Sequence, residues 1–84
     1  MKVLDFDYSN NDGFVWITVE GRDEFETMDI QACINDHTLD TNDMGDDWGI
    51  CGDVNEEAFS YWGYSRCINA LIRHARLCEE LTVI

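Results

Sequence analysis

Asp40, Asn42, Asp43, Asp46 and Asp47 fall within eight residues of one another, beside Gly45 and Gly49. That density of side-chain oxygens is what a hard cation such as Ca²⁺ requires. An EF-hand needs oxygen ligands at positions 1, 3 and 5, glycine at 6 and a bidentate glutamate at 12. Starting at Asp40 puts Met44 at position 5 and Cys51 at position 12. Starting at Asp43 puts Trp48 at the glycine position, and starting at Asp36 puts Thr41 there. No register supplies the ligand set, so an irregular calcium or magnesium site is all that this stretch could form.

Two further sets of residues have the types that chemistry uses. Cys33 and His37, and His74 and Cys78, are each spaced i,i+4. If both pairs lay on helices, they could converge on a tetrahedral Cys₂His₂ zinc site. No CxxC accompanies them, and buried free cysteine is common without any metal. The same thiols and imidazoles could act as nucleophile and base, but such a pair also needs an oxyanion hole and a pocket. Nothing flanking them supplies either, so the expectation is no enzyme, no cofactor and no assigned metal ligand.

The elements that must hold these residues come from hydropathy patterning. KVLDFDY, residues 2–8, alternates, with Leu4, Phe6 and Tyr8 on one face and Val3, Asp5 and Asp7 on the other. Asn10, Asn11, Asp12 and Gly13 make a turn, and FVWITVE, residues 14–20, makes a second strand with Val15, Ile17 and Val19 on one face. A third, acidic edge-type strand is expected over 23–28. Residues 29–38 alternate at Met28, Ile30, Ala32 and Ile34, yet Ile30, Cys33, Ile34 and His37 also fit a helical face. A short helix is the preferred reading there. Asp53 with Glu56 forms an acidic capping box ahead of a C-terminal helix, which Gly63 could divide in two. The fold class is therefore α+β, one domain over residues 1–84. It comprises a two- or three-stranded antiparallel sheet against a long C-terminal helix, with a short intermediate helix.

Charge is the dominant feature of the composition. The net charge is −13, with 18 acids against five bases. Residues 1–60 carry −14 and residues 61–84 carry +1, so the chain is polarised. Between Arg22 and Arg66 there are twelve acids and no base. A solvated face ordinarily mixes both signs, because pairs of opposite charge offset repulsion. Nucleic acid and anionic membrane are excluded as direct partners, and a basic protein surface is favoured, since opposite fields steer encounter. On strands, Asp5/Asp7 and Glu24/Glu26 would project to one side about 6.8 Å apart. That density is comparable with the phosphate charge of DNA, about one per 3.4 Å per strand.

The N-terminus lacks the apolar run of a signal peptide, and no segment is apolar for the ~20 residues of a membrane span. A cytoplasmic setting is expected, with Cys33, Cys51, Cys67 and Cys78 as free thiols. Among the aromatics, FSYWGY at 59–64 reads as core. Trp48, set between Asp47 and Gly49, reads equally as a core plug or as an exposed anchor of the kind enriched at interface hot spots.

In size, charge and lack of catalytic motifs, the whole chain resembles small inhibitors made by phages and mobile elements. These include anti-CRISPR proteins, DNA-mimic anti-restriction proteins and uracil-DNA glycosylase inhibitors. It is similar also to acidic immunity proteins that block basic nucleases. The resemblance implies a stoichiometric inhibitor that occupies the DNA-docking surface of a basic partner, such as a Cas protein or surveillance complex, in a host cytoplasm. The partner-binding candidates are Glu24, Glu26, Asp40, Asp43, Asp46 and Asp47 as phosphate surrogates, with Trp48 as an apolar anchor. A zinc- or calcium-binding structural or regulatory module is the rival expectation.

Overall fold

The structure, a computed structural model, describes residues 1–42 and 53–84. Asp43, Asp46, Asp47, Trp48 and Cys51 lie outside the described residues. The first three strands, β1 (Val3–Ser9), β2 (Phe14–Glu20) and β3 (Thr27–Cys33), form an antiparallel sheet in the order β1-β2-β3. Two further short strands, β4 (Thr38–Leu39) and β5 (Thr82–Val83), pair in parallel. Between them lie helices α1 (Asp53–Trp62) and α2 (Tyr64–Leu77). The α+β class and the antiparallel sheet are as expected. Three details differ, each for a physical reason.

The third strand runs over Thr27–Cys33, not 23–28, and residues 29–38 form no helix. Met28, Ile30 and Ala32 stand opposite Val19, Ile17 and Val15, and all six are buried. A short isolated helix is marginal because its nucleus is costly. Pairing this segment with β2 buries its whole alternate set at once. Asp36 and His37 then take positive φ, at 50° and 56°, which turns the chain where a helix would have continued.

The second difference is in β1. Its pairing with β2 shifts between Val3 and Asp5, leaving Leu4 as the additional residue. Such a bulge places two residues opposite one and reverses the facing of what precedes it. Val3, opposite Val19, joins the core side with Phe6 and Tyr8, while Leu4 is 49% exposed.

The third concerns the C-terminal helix, which is not one long rod. It divides at Gly63, and α2 has 14 residues. Gly63 has φ 93° and ψ 142°, a conformation close to the region that only glycine occupies without strain. A Cβ there would meet nothing within 4 Å, so the constraint is in the backbone and not in packing. Gly63→Ala is therefore expected to lower unfolding stability by about 1–3 kcal/mol, measurable as a lower urea midpoint at unchanged slope.

Both helices pack on the sheet face that carries Val15, Ile17, Val19, Met28, Ile30 and Ala32. Ala58 of α1 and Cys67, Ala70, Leu71 and Ala75 of α2 close the core. The Trp62 indole N–H donates to the Glu20 carbonyl at 3.0 Å, tying the end of α1 to the end of β2. Buried Leu39 and Leu81 extend the core beneath the β4–β5 pair. There the Thr82 N–H donates to the His37 carbonyl at 2.8 Å and the Ile84 N–H to the Leu39 carbonyl at 3.0 Å.

Cys67 is fully buried and its thiol donates to the Ala58 carbonyl at 3.6 Å. Burial pushes this thiol up to about 11 from an ordinary 9.0. The thiolate is the reactive form, so Cys67 is expected to escape iodoacetamide in the native state and to label fully in denaturant, as read by peptide mass spectrometry. The raised value has a second consequence. Above the ordinary thiol value the unfolded chain loses a proton that the native chain keeps, so stability falls as pH rises from about 9 towards 11.

Candidate acidic interface

The strands β1, β2 and β3 contain no lysine, arginine or histidine. Their four acids are Asp5, Asp7, Glu20 and Asp29. Strand alternation sends Val15, Ile17 and Val19 to the helices, so Phe14, Trp16, Thr18 and Glu20 must face the other way. The register then places Asp5 and Asp29 on either side of Thr18, and Asp7 and Gln31 on either side of Trp16. All four acids consequently share the face that the helices leave uncovered. Asp5 and Asp7 are exposed, while Glu20, Asp29 and Trp16 are half-buried. Asp5 and Asp29 stand two strand spacings apart, roughly 10 Å, and Asp5 and Asp7 about 6.8 Å apart along β1.

Hydrogen bonds hold several of these carboxylates in place. The Thr18 hydroxyl donates to Asp29 at 2.8 Å. The Lys2 N–H donates to the Glu20 carboxylate at 3.1 Å. On the edge strand β1, the Phe6 N–H donates to Asp5 at 2.9 Å and the Tyr8 N–H donates to Asp7 at 2.8 Å. Those bonds occupy two backbone donors of an edge strand, and charge at an edge opposes strand-to-strand aggregation. The face is therefore a fixed array of carboxylates around the Trp16 ring.

Of the candidates from the sequence, the described ones, Glu24, Glu26 and Asp40, lie outside the three strands. Glu24 and Glu26 do not form a row on a strand; they lie in the turn between β2 and β3, Glu24 exposed and Glu26 half-buried. The strand that would have aligned them begins only at Thr27. Asp40 is half-buried just after β4 and accepts the Asn42 N–H at 3.0 Å, closing a local turn. Asp43, Asp46, Asp47 and Trp48 fall outside the described residues.

Sequence reasoning missed the sheet face as a unit. Asp29 falls at the start of the expected short helix, and of the tryptophans only Trp48 is singled out as an interface anchor. The signal was present, because FVWITVE has two complementary sets of alternate residues and only the apolar one was followed. Placing Asp29 there needed the third strand.

The zinc geometry does not form as conceived. Cys33 ends β3 and His37 sits in a turn, so the two do not share a helical face. His37 instead meets the Tyr8 hydroxyl, with Nδ1 at 3.3 Å, and the Cys78 thiol donates to Glu80 at 3.3 Å. The Tyr8 phenol is pushed up by burial and by the nearby Glu80, Cys78 and Asp7. Among the described residues no group of three or more histidines, cysteines and carboxylates is placed to hold a metal ion. None of the described helices is long and apolar enough to cross a membrane.

The fold and face together define a small α+β domain whose sheet, on the side away from the helices, carries the acids of all three strands around Trp16 and Thr18. No protein-family model matches the chain, and no curated protein or solved structure matches it either.

Proposed function

We propose that the protein is a stoichiometric inhibitor of the anti-CRISPR or DNA-mimic kind, which blocks a nucleic-acid-binding protein by presenting an acidic surface to its basic groove. One observation carries the reading: every acid of the three strands lies on the face opposite the helices, and those strands hold no cation. A face built only for solubility would include bases to offset repulsion. The Arg22–Glu57 pair, at 2.7 Å, is the only ion pair among the described residues, so the remaining described carboxylates keep their charge available to a partner.

In this reading Asp5, Asp7, Asp29 and Glu20 stand for phosphates, and Trp16 supplies an apolar patch among them. Lysine and arginine in the partner's groove donate charge-assisted hydrogen bonds to the carboxylates. Glu24, Glu26 and Asp40 extend the field, with the 43–48 segment as further surrogates. Affinity capture followed by mass spectrometry identifies the partner, and competition then tests the mode of binding. The chain is expected to displace labelled DNA from the partner, and its binding is expected to weaken steeply as salt rises. Simultaneous binding of DNA at the same site, or binding indifferent to salt, would sink the proposal.

A further inference from the structure

The described surface contains two exposed features of opposite character. The first is the turn between β2 and β3. Phe25 at its tip is 94% exposed, flanked by Asp23, Glu24 and Glu26. The turn is braced. The Gly21 N–H donates to the Glu26 carbonyl at 2.7 Å, and the Glu26 N–H donates to the Asp23 carbonyl at 3.1 Å. Arg22 bonds Glu57 of α1 at 2.7 Å. A Cβ on Gly21 would fall 2.8 Å from Glu26, so only glycine permits the close approach that shuts the turn. An aromatic ring is thus held out in water by a closed frame, with little ordering left to lose on binding.

The second feature is on α2. Asn69, Ile72, Arg73, Arg76 and Leu77 line an open groove of about 580 Å³. They recur at i, i+3, i+4, i+7 and i+8, one stripe of the helix. Leu77 is 75% exposed, Ile72 is half-buried, and neither arginine has an ion pair among the described residues. In a chain of net charge −13, two exposed arginines with no ion pair among the described residues, beside an exposed leucine, form the surface that an acidic, apolar-tipped partner fits.

We infer that the two features are complementary, and that the groove on α2 receives the Phe25 turn of a second copy of this chain. Phe25 would pack on Ile72 and Leu77, while Glu24 and Glu26 would meet Arg73 and Arg76. The turn and the groove are different patches, so the contact is head-to-tail and propagates into a ring or an open chain instead of a two-fold dimer. The acidic bodies repel, but at physiological ionic strength repulsion fades beyond about 8 Å, whereas the facing pairs are in contact. The contact engages Glu24 and Glu26, so self-association removes part of the acidic surface from any other partner.

Sedimentation velocity of the purified chain across concentration, near physiological salt, tests this. The parent chain is expected to associate reversibly at high micromolar concentration. Phe25→Ala is expected to weaken association about thirtyfold, as loss of a hot-spot aromatic does. Mixing supplies the decisive readout. Phe25→Ala/Glu24→Gln/Glu26→Gln removes the knob but keeps the groove, and Arg73→Glu/Arg76→Glu does the reverse. Each variant is expected to be monomeric alone, and the mixture to form 1:1 dimers and nothing larger. Dimer formation in the mixture also demonstrates that both variants are folded. A parent chain that stays monomeric throughout, association that the variants leave unchanged, or a mixture that remains monomeric while circular dichroism shows both variants folded would each overturn the inference.

Discussion

A chain carrying Asp5→Lys, Asp7→Lys and Asp29→Lys is expected to bind the proposed basic partner about a thousandfold more weakly than the parent. Each substitution removes an acceptor for a charge-assisted bond and puts a like charge in its place. A loss of about 1.5 kcal/mol at each of three sites amounts to roughly three powers of ten. Asp5 and Asp7 are exposed, so reversing them costs the fold little beyond their bonds to the next N–H. Asp29 also loses the bond from Thr18, a cost of about 1 kcal/mol. Six units of charge are removed from a chain at −13, which relieves self-repulsion in return. Isothermal titration against the captured partner gives the affinity, and urea unfolding gives the stability. The same reversal at Asp43, Asp46 and Asp47 separates the 43–47 segment's contribution from that of the sheet face. If the 43/46/47 variant loses binding and the sheet variant keeps it, the sheet face is not the interface.

Ile17→Ala is expected to have the largest effect on the fold, about 2–5 kcal/mol. Ile17 is fully buried on the central strand, opposite Phe6 on one side and Ile30 on the other. A domain of 84 residues has a total stability of roughly 4–13 kcal/mol, so this one truncation removes a large share. Asp7→Asn on the other face keeps the acceptor for the Tyr8 N–H and is expected to change stability by no more than about 0.5 kcal/mol. A denaturant midpoint that falls sharply for the first and hardly moves for the second would verify which face is the core. Equal effects would contradict the facing of the sheet.

These two predictions rest on strand facing, and that was only partly legible in the sequence. Val15, Ile17 and Val19 alternate without interruption, so β2 and its hairpin with β1 could be read directly. β1 was legible in position but not in detail, because a bulge after Val3 depends on how the partner strand is matched, not on the hydropathy of VLDF. Residues 28–34 satisfied two periodicities at once. Seven residues carry too little information to separate them, and the vacant edge of β2 decided the outcome.

The sequence by itself determined the charge, its concentration before residue 61, the four cysteines and the failure of the calcium registers from Asp36, Asp40 and Asp43. Composition and spacing are properties of the chain, and folding does not alter them. It also marked Gly63 as the place where a helix could divide. Only the tertiary structure decided which acids act together. Asp5, Asp7, Glu20 and Asp29 come from three strands and become neighbours only through the register of the sheet. Glu24 and Glu26, adjacent in sequence to an expected strand, were left in a turn because β3 starts at Thr27. The sheet chose that start so that Met28, Ile30 and Ala32 could all face the helices. Burial of apolar side chains thus set where the charges stand, since the acids occupy the alternate positions that burial leaves outside.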